Sequence, residues 1–173
     1  RFITSEYFDN AHFTCVVESQ EGTVPRKKLR VRFYTNSQNL KGPNKKTILN
    51  FETKISSPEG RYKTVKKIDF LEYLNLKKNG FFVSSYGRMM PSLRINYLRQ
   101  YFKIDGIRVT FDSKITMKRL RENLGGLKLN HQNLRYCILE LKSDTSDSNL
   151  VNTSIAGLRL QRISKYADSF YKI

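Results

Sequence analysis

Apolar and polar residues alternate with period two in four segments, the pattern of strands with one apolar face. In segment 28–33 the apolar set is Leu29, Val31 and Phe33, and the opposite set is Lys28, Arg30 and Arg32. In 48–55, Leu49, Phe51 and Ile55 oppose Asn50, Glu52 and Lys54. In 107–112, Ile107, Val109 and Phe111 oppose Arg108, Thr110 and Asp112. In 137–142, Cys137, Leu139 and Leu141 oppose Ile138, Glu140 and Lys142. Each strand has an apolar side and an ionic side. Helical spacing appears in Phe70, Leu71 and Leu74, with Asp69 placed to cap and Asn79-Gly80 to terminate. Ile155, Leu158, Ile163, Tyr166 and Phe170 give a C-terminal amphipathic helix with a break near Ile163–Ser164. Ser-Pro-Glu-Gly within 56–61 is a tight turn, 63–67 the returning strand, and 35–46 and 143–149 polar loops.

The ionic faces leave two arrangements open. One is an ordinary half-buried antiparallel sheet with its charges in water. In the other the sheet curls with its ionic sides inward, so that the lumen is a cationic channel and helices cover the apolar sides from outside. Cross-strand opposite-charge pairs explain Glu-x-Lys but not the surplus of cations.

Charge gives that surplus its weight. The 173 residues carry 32 Lys+Arg against 15 Asp+Glu, a formal net charge of +17. Segment 26–67 alone has 13 Lys/Arg and 2 Asp/Glu in its 42 residues. Such a chain repels itself unless a polyanion neutralises it, which leaves nucleic acid, an anionic membrane or polymeric phosphate as partner classes. The length suits one domain, 1–173, and no apolar run is long enough to span a bilayer. Cys15 and Cys137 form no CxxC pair, and His12 and His131 lie far apart, which speaks against a zinc site or a disulfide framework and favours a reducing compartment. No GxxxxGK[ST] or GxSxG pattern occurs.

What remains is electrostatic work on phosphate, for which Arg offers a planar donor fork and Lys a point charge. A carboxylate in that cationic bed, such as Glu140, could hold Mg²⁺ or Mn²⁺ jointly with substrate oxygens. Single-strand nucleic-acid binders interleave aromatics with their cations. The ionic faces of these four strands carry none, so nucleic acid is not the expected partner. Tyr97 and Tyr101, which flank Arg99 at period two, suit a single base.

The runs Ser5-Glu-Tyr-Phe-Asp-Asn10, Lys28-Leu-Arg-Val-Arg-Phe-Tyr34, Phe51-Glu-Thr-Lys54 and Thr64-Val-Lys66 continue with Tyr97-Leu-Arg-Gln-Tyr-Phe102, Ile107-Arg-Val-Thr-Phe-Asp112, Leu139-Glu-Leu-Lys142 and Arg162-Ile-Ser-Lys-Tyr166. In that order they resemble the VTC domain of vacuolar transporter chaperone proteins, a branch of the triphosphate tunnel (CYTH-like) superfamily. The resemblance implies an α+β fold: an antiparallel β-barrel tunnel with a basic lumen, helices packed outside and at the C-terminus. It implies transfer of the ATP γ-phosphoryl group to a growing polyphosphate chain, with Mn²⁺ or Mg²⁺ as cofactor. ATP and inorganic polyphosphate or pyrophosphate are the implied partners. A non-catalytic polyphosphate-binding module and a triphosphate hydrolase are the alternatives. Carried over by motif, Arg30, Arg32, Lys54 and Lys66 line the tunnel, Arg99 and Arg108 clamp the phosphates, Glu140 is the metal ligand, and Lys165 with Arg162 reaches in from the C-terminal segment. Lys63 and Lys67 are expected in solvent, Glu52 as an ion-pair partner, and Asp112 paired with Arg108 or ending its strand. The family's N-terminal strand and helix ahead of Tyr-Phe-Asp are expected to be missing. A cytoplasmic location, on its own or beside a membrane partner, is the accompanying expectation.

Overall fold

The computed structural model describes residues 1–35, 42–104, 107–121, 131–142 and 161–171. Its strands are β1 (Phe2–Asp9), β2 (Arg26–Thr35), β3 (Leu49–Ser57), β4 (Gly60–Ile68), β5 (Phe81–Val83), β6 (Gly87–Ile104), β7 (Ile107–Arg119), β8 (His131–Asn133) and β9 (Ile138–Lys142). The helices are α1 (Thr14–Glu21), α2 (Phe70–Asn79) and α3 (Lys165–Tyr171). The sheet is antiparallel throughout and runs β4-β3-β2-β1-β6-β7-β8, with β9 also on β7 and β5 on β6. It curls into a half-barrel. Among the described residues β4 forms one end of the sheet, and β8 and β9 the other.

Period-two alternation sets which side chains face the concave side. The β2–β3 register pairs Lys28 with Lys54, Arg30 with Glu52 and Arg32 with Asn50. A residue directly opposite shares its partner's face, so the ionic sides of both strands point the same way. The apolar sides lie on the convex face, where Phe8, Phe51 and Phe81 form an aromatic cluster with centroids 5.2–6.3 Å apart. Leu29, Val31, Phe33 and Leu49 are buried with them. Helix α2 packs on this outer side. Its Tyr73 hydroxyl donates to buried Glu6, which Arg94 also binds at 2.6 Å. As its sequence predicts, α2 starts at Asp69, whose Oδ1 accepts from Glu72 N at 2.7 Å, and ends at Gly80, whose φ of +67° favours glycine.

The Tyr-Phe-Asp run becomes the spine of the fold. It lies in β1, hydrogen-bonded to β2 on one side and β6 on the other. Phe8 enters the convex core, while Tyr7 faces the concave side. Asp9 accepts from the backbone N–H groups of Cys15 and Val16 at 3.0 Å each, capping α1, and from the Tyr166 hydroxyl at 2.8 Å. Tyr166 stacks on Tyr7 with centroids 4.4 Å apart and planes 8° apart. One motif thereby ties the central strand, the first helix and the C-terminal helix together.

The C-terminal segment is non-helical over 161–164 and helical from Lys165; Ile155 and Leu158, which carry the helix expected ahead of the break, lie outside the described residues. So do residues 36–41 of the 35–46 loop and the whole of the 143–149 connection. Among the described residues no helix is long and apolar enough to cross a membrane.

Candidate functional site: a cationic groove

The concave face of the half-barrel holds a groove of about 620 Å³. One wall carries Lys28, Arg30 and Arg32 from β2, Lys54 from β3 and Lys63 from β4. The opposite wall carries Arg99, Arg108, Glu140 and Lys142, and the first residue of α3 contributes Lys165. Among the described residues the lining has nine Lys/Arg and one acidic residue, Glu140. The tunnel-inward arrangement is the one realised on β2 and β3, whose apolar sides are buried from the other face; at β9 the expected sides are exchanged, with Ile138 buried and Cys137 and Leu139 exposed.

Two buried carboxylates beneath the lining hold the cations in place. Glu52, 3% exposed, accepts from Arg30 Nε at 2.8 Å and Lys63 Nζ at 2.9 Å, with Arg32 at 3.8 Å. Burial pushes its carboxyl up, but Arg30, Arg32 and Lys63 more than offset this and hold its pKa at about 2. Asp112, fully buried, accepts a two-pronged bond from Arg99 at 2.6 and 2.7 Å and the Lys165 ammonium at 2.6 Å. Its carboxyl too is lowered, against the effect of burial, by Arg99 and Lys165. Each carboxylate restrains long side chains from different elements, which reduces the rotamer entropy a ligand would have to remove.

The remaining cations differ in commitment. Arg32 donates to Ser5 Oγ and the Tyr97 hydroxyl at 3.2 and 3.1 Å, and Lys28 to Ser164 Oγ at 2.9 Å. Lys54 and Arg108 make no ion pair or side-chain hydrogen bond among the described residues, so two uncommitted cations line the groove from facing walls. Burial and the nearby Arg30 charge push the Lys54 ammonium down to about 8. Tyr7 is pushed up by burial, but the charges of Arg30, Arg32 and Lys28 bring its phenol down to about 8. The groove is therefore over-supplied with positive charge and set to gain from an anion.

A pH dependence follows from this charge surplus. A bound polyanion favours the protonated forms of both Lys54 and Tyr7, so binding takes up protons and affinity falls as pH rises through 8. We expect the affinity for tripolyphosphate to drop about tenfold between pH 7 and pH 9, measured by calorimetry at fixed salt. Lys54→Arg should flatten most of that slope and Tyr7→Phe the rest. A profile unchanged by both substitutions would contradict the assignment.

Most residues expected at the site converge there: Arg30, Arg32, Lys54, Arg99, Arg108, Glu140 and Lys165 all line the groove. Two do not. Lys66 sits on the outer face of β4 and pairs with Glu72 of α2 at 2.8 Å. The two-residue turn between Ser57 and Gly60 sets a register in which Lys63, not Lys66, stands opposite Lys54. Arg162 is outside the groove lining, and its guanidinium lies against Gly22, whose φ of +82° and lack of a side chain leave room for it. Lys63, expected in solvent, reaches Glu52, and Asp112, expected beside Arg108, instead joins Arg99 to Lys165.

Glu140 is the accessible carboxylate of the groove, 39% exposed, with Lys142 at 3.1 Å and Arg99 at 3.8 Å. Its pKa is lowered despite partial burial, chiefly by Lys142, so it is ionised at neutral pH. No cluster of three or more His, Cys, Asp or Glu occurs among the described residues. The donor set fits a divalent ion shared with substrate oxygens rather than one caged by protein alone.

A curled antiparallel half-barrel with a polycationic concave wall defines a triphosphate-tunnel (CYTH-like) fold. The sequence matches the VTC domain over residues 1–172, and the chain belongs to that family. Among solved structures, a protein from Bacillus halodurans described as a candidate adenylate cyclase superposes with a TM-score of 0.61 at 13% identity, covering 98% of this chain and 82% of its own. No curated protein sequence matches.

Proposed function

We propose that the groove binds inorganic polyphosphate and the triphosphate of ATP, and that the domain transfers the γ-phosphoryl group of ATP to the end of the polyphosphate chain. The observation that supports this most is the groove's charge make-up among the described residues: nine cations, five of them braced by buried Glu52 and Asp112, with a single accessible carboxylate, Glu140. A terminal phosphate oxygen of the acceptor attacks the γ-phosphorus. A new P–O–P linkage forms, the bond from the γ-phosphorus to the bridging oxygen breaks, and ADP leaves with that oxygen. Such transfer needs positioning and charge neutralisation rather than a covalent nucleophile. Arg99 and Lys165, fixed by Asp112, and uncommitted Arg108 would carry the charge of the transferred group. Glu140 would hold Mn²⁺ or Mg²⁺ together with phosphate oxygens, and the ion would supply further neutralisation of oxygen charge. The scarcity of lumen carboxylates weighs against a hydrolase, which needs groups to hold metal and water.

Incubation with ATP and Mn²⁺, read as polymer on a gel, tests the reading; absence of polymer with tight polyphosphate binding would leave a binding module. That second reading draws support from the Lys142 ammonium already on Glu140. Glu140→Gln is expected to abolish the metal dependence of product formation while tripolyphosphate affinity stays within about threefold, since a rim carboxylate half in water contributes little to anion affinity. A normal metal titration in the variant would remove Glu140 from this role.

A further inference from the structure

A second cavity of about 570 Å³ lies at the end of the β2–β3–β4 wall. It is lined by Tyr34, Asn50 and Lys67 from the strands and by Asn44, Lys46 and Thr47 from the loop before β3. Its wall continues that of the main groove. Arg32 is the register partner of Asn50, and Asn50 of Lys67, so the three side chains form one row across three strands on the concave face. Neighbouring strands are about 4.8 Å apart, which carries the row roughly 10 Å from Arg32 to Lys67. Tyr34 follows Arg32 by two residues on the same face of β2. From Lys28 to Tyr34 the concave wall spans about 20 Å, more than a triphosphate can fill.

The chemistry of this cavity is that of an anion site with no anion supplied by the protein. Lys46 and Lys67 make no ion pair among the described residues, and neither the Asn50 amide nor the Tyr34 hydroxyl has a side-chain hydrogen-bond partner there. No carboxylate lines the cavity among the described residues. Two ammonium groups, an amide and a phenol thus face the same space as donors.

We propose that this cavity is a subsite for the distal phosphates of a linear polyphosphate chain, so that the protein prefers long polyphosphate to short. The inference rests on the reading of the main groove as a polyphosphate site and adds chain-length selectivity to it. A short ligand is satisfied by the cations around Arg30, Lys54 and Arg108. A longer chain continues along the Arg32–Asn50–Lys67 row and gains the Lys46 and Lys67 charges.

Calorimetric titration of wild type and the double variant K46Q/K67Q with tripolyphosphate and with a long-chain polyphosphate tests this, with each long-chain affinity read against wild type. Both substitutions remove surface charges that form no ion pair among the described residues, so the variant should melt as wild type does. We expect tripolyphosphate affinity within about twofold of wild type and long-chain affinity down about tenfold, with a shallower salt dependence because two phosphate contacts are gone. Equal losses for both ligands, or no loss for the long chain, would overturn the subsite. Wild-type protein that binds neither ligand would instead overturn the reading of the main groove on which the subsite rests.

Discussion

Glu52→Gln is expected to lower the thermal midpoint by about 10 °C, and tripolyphosphate is expected to restore more of that loss than it adds to wild type. Glu52 is 3% exposed and binds Arg30 and Lys63, with Arg32 nearby. Removing one partner of a buried pair leaves the other charge uncompensated, which costs about 3–5 kcal/mol. For a domain of this size each kcal/mol moves the midpoint by about 2–4 °C. The polyanion can replace the missing negative charge because the same cations line the groove, and a ligand that binds only the folded state stabilises it by mass action. Differential scanning calorimetry with and without ligand reads both effects. A wild-type midpoint in the variant would show that Glu52 does not organise the wall, and a loss unrelieved by ligand would show that the cations do not meet phosphate. Acid gives an independent check. The Glu52 carboxyl is held at about 2, so its contribution is present above the ordinary carboxylate pKa and fades as pH falls towards 2.

Arg108→Glu should behave in the opposite way. Arg108 lines the groove without an ion pair among the described residues, and its register partners are Lys103 and Lys142. Reversing its charge removes like-charge repulsion, so stability should be unchanged or slightly higher. Binding and turnover should collapse. A charge-assisted contact is worth about 1.5–3 kcal/mol, and reversal adds repulsion of the anion. We expect tripolyphosphate affinity to fall about 100-fold or more and γ-phosphoryl transfer to fall below detection, while Arg108→Lys retains much of the binding. Normal affinity in the reversed variant would remove Arg108 from the clamp. The contrast with Glu52 separates two kinds of charge in one groove: those that hold the wall and those held ready for a ligand.

Much of this site was legible along the chain. Alternation in Lys28–Phe33 and the neighbouring runs divides each strand into an apolar and an ionic side, and a cationic excess too large for cross-strand pairing points the ionic sides at a shared interior. The misplacement of Lys66 is one of register. Counting from the closure of the Ser57–Gly60 turn would have put Lys63 opposite Lys54, since a single-residue slip moves every side chain to the other face. The motif predicts Arg162 reaching inward with Lys165, but the chain enters α3 only at Lys165, and Arg162 lies instead against Gly22. The role of Asp112 was hidden for a different reason. Its partners, Arg99 and Lys165, lie 13 and 53 positions away in sequence, and local pattern carries no information about which distant cation a buried carboxylate will select. The second cavity was likewise unseen, because Lys46, Asn50 and Lys67 fall in three separate segments that only strand pairing brings together.

Guanidinium and ammonium groups from opposite walls are expected to hold a linear phosphate chain between them. Diffraction from crystals soaked in tripolyphosphate tests it directly. The predicted result is phosphate density in the groove within hydrogen-bonding distance of Arg30, Lys54, Arg99 and Arg108. Phosphate bound only on the convex surface, at saturating ligand and with the groove filled by water, would contradict it.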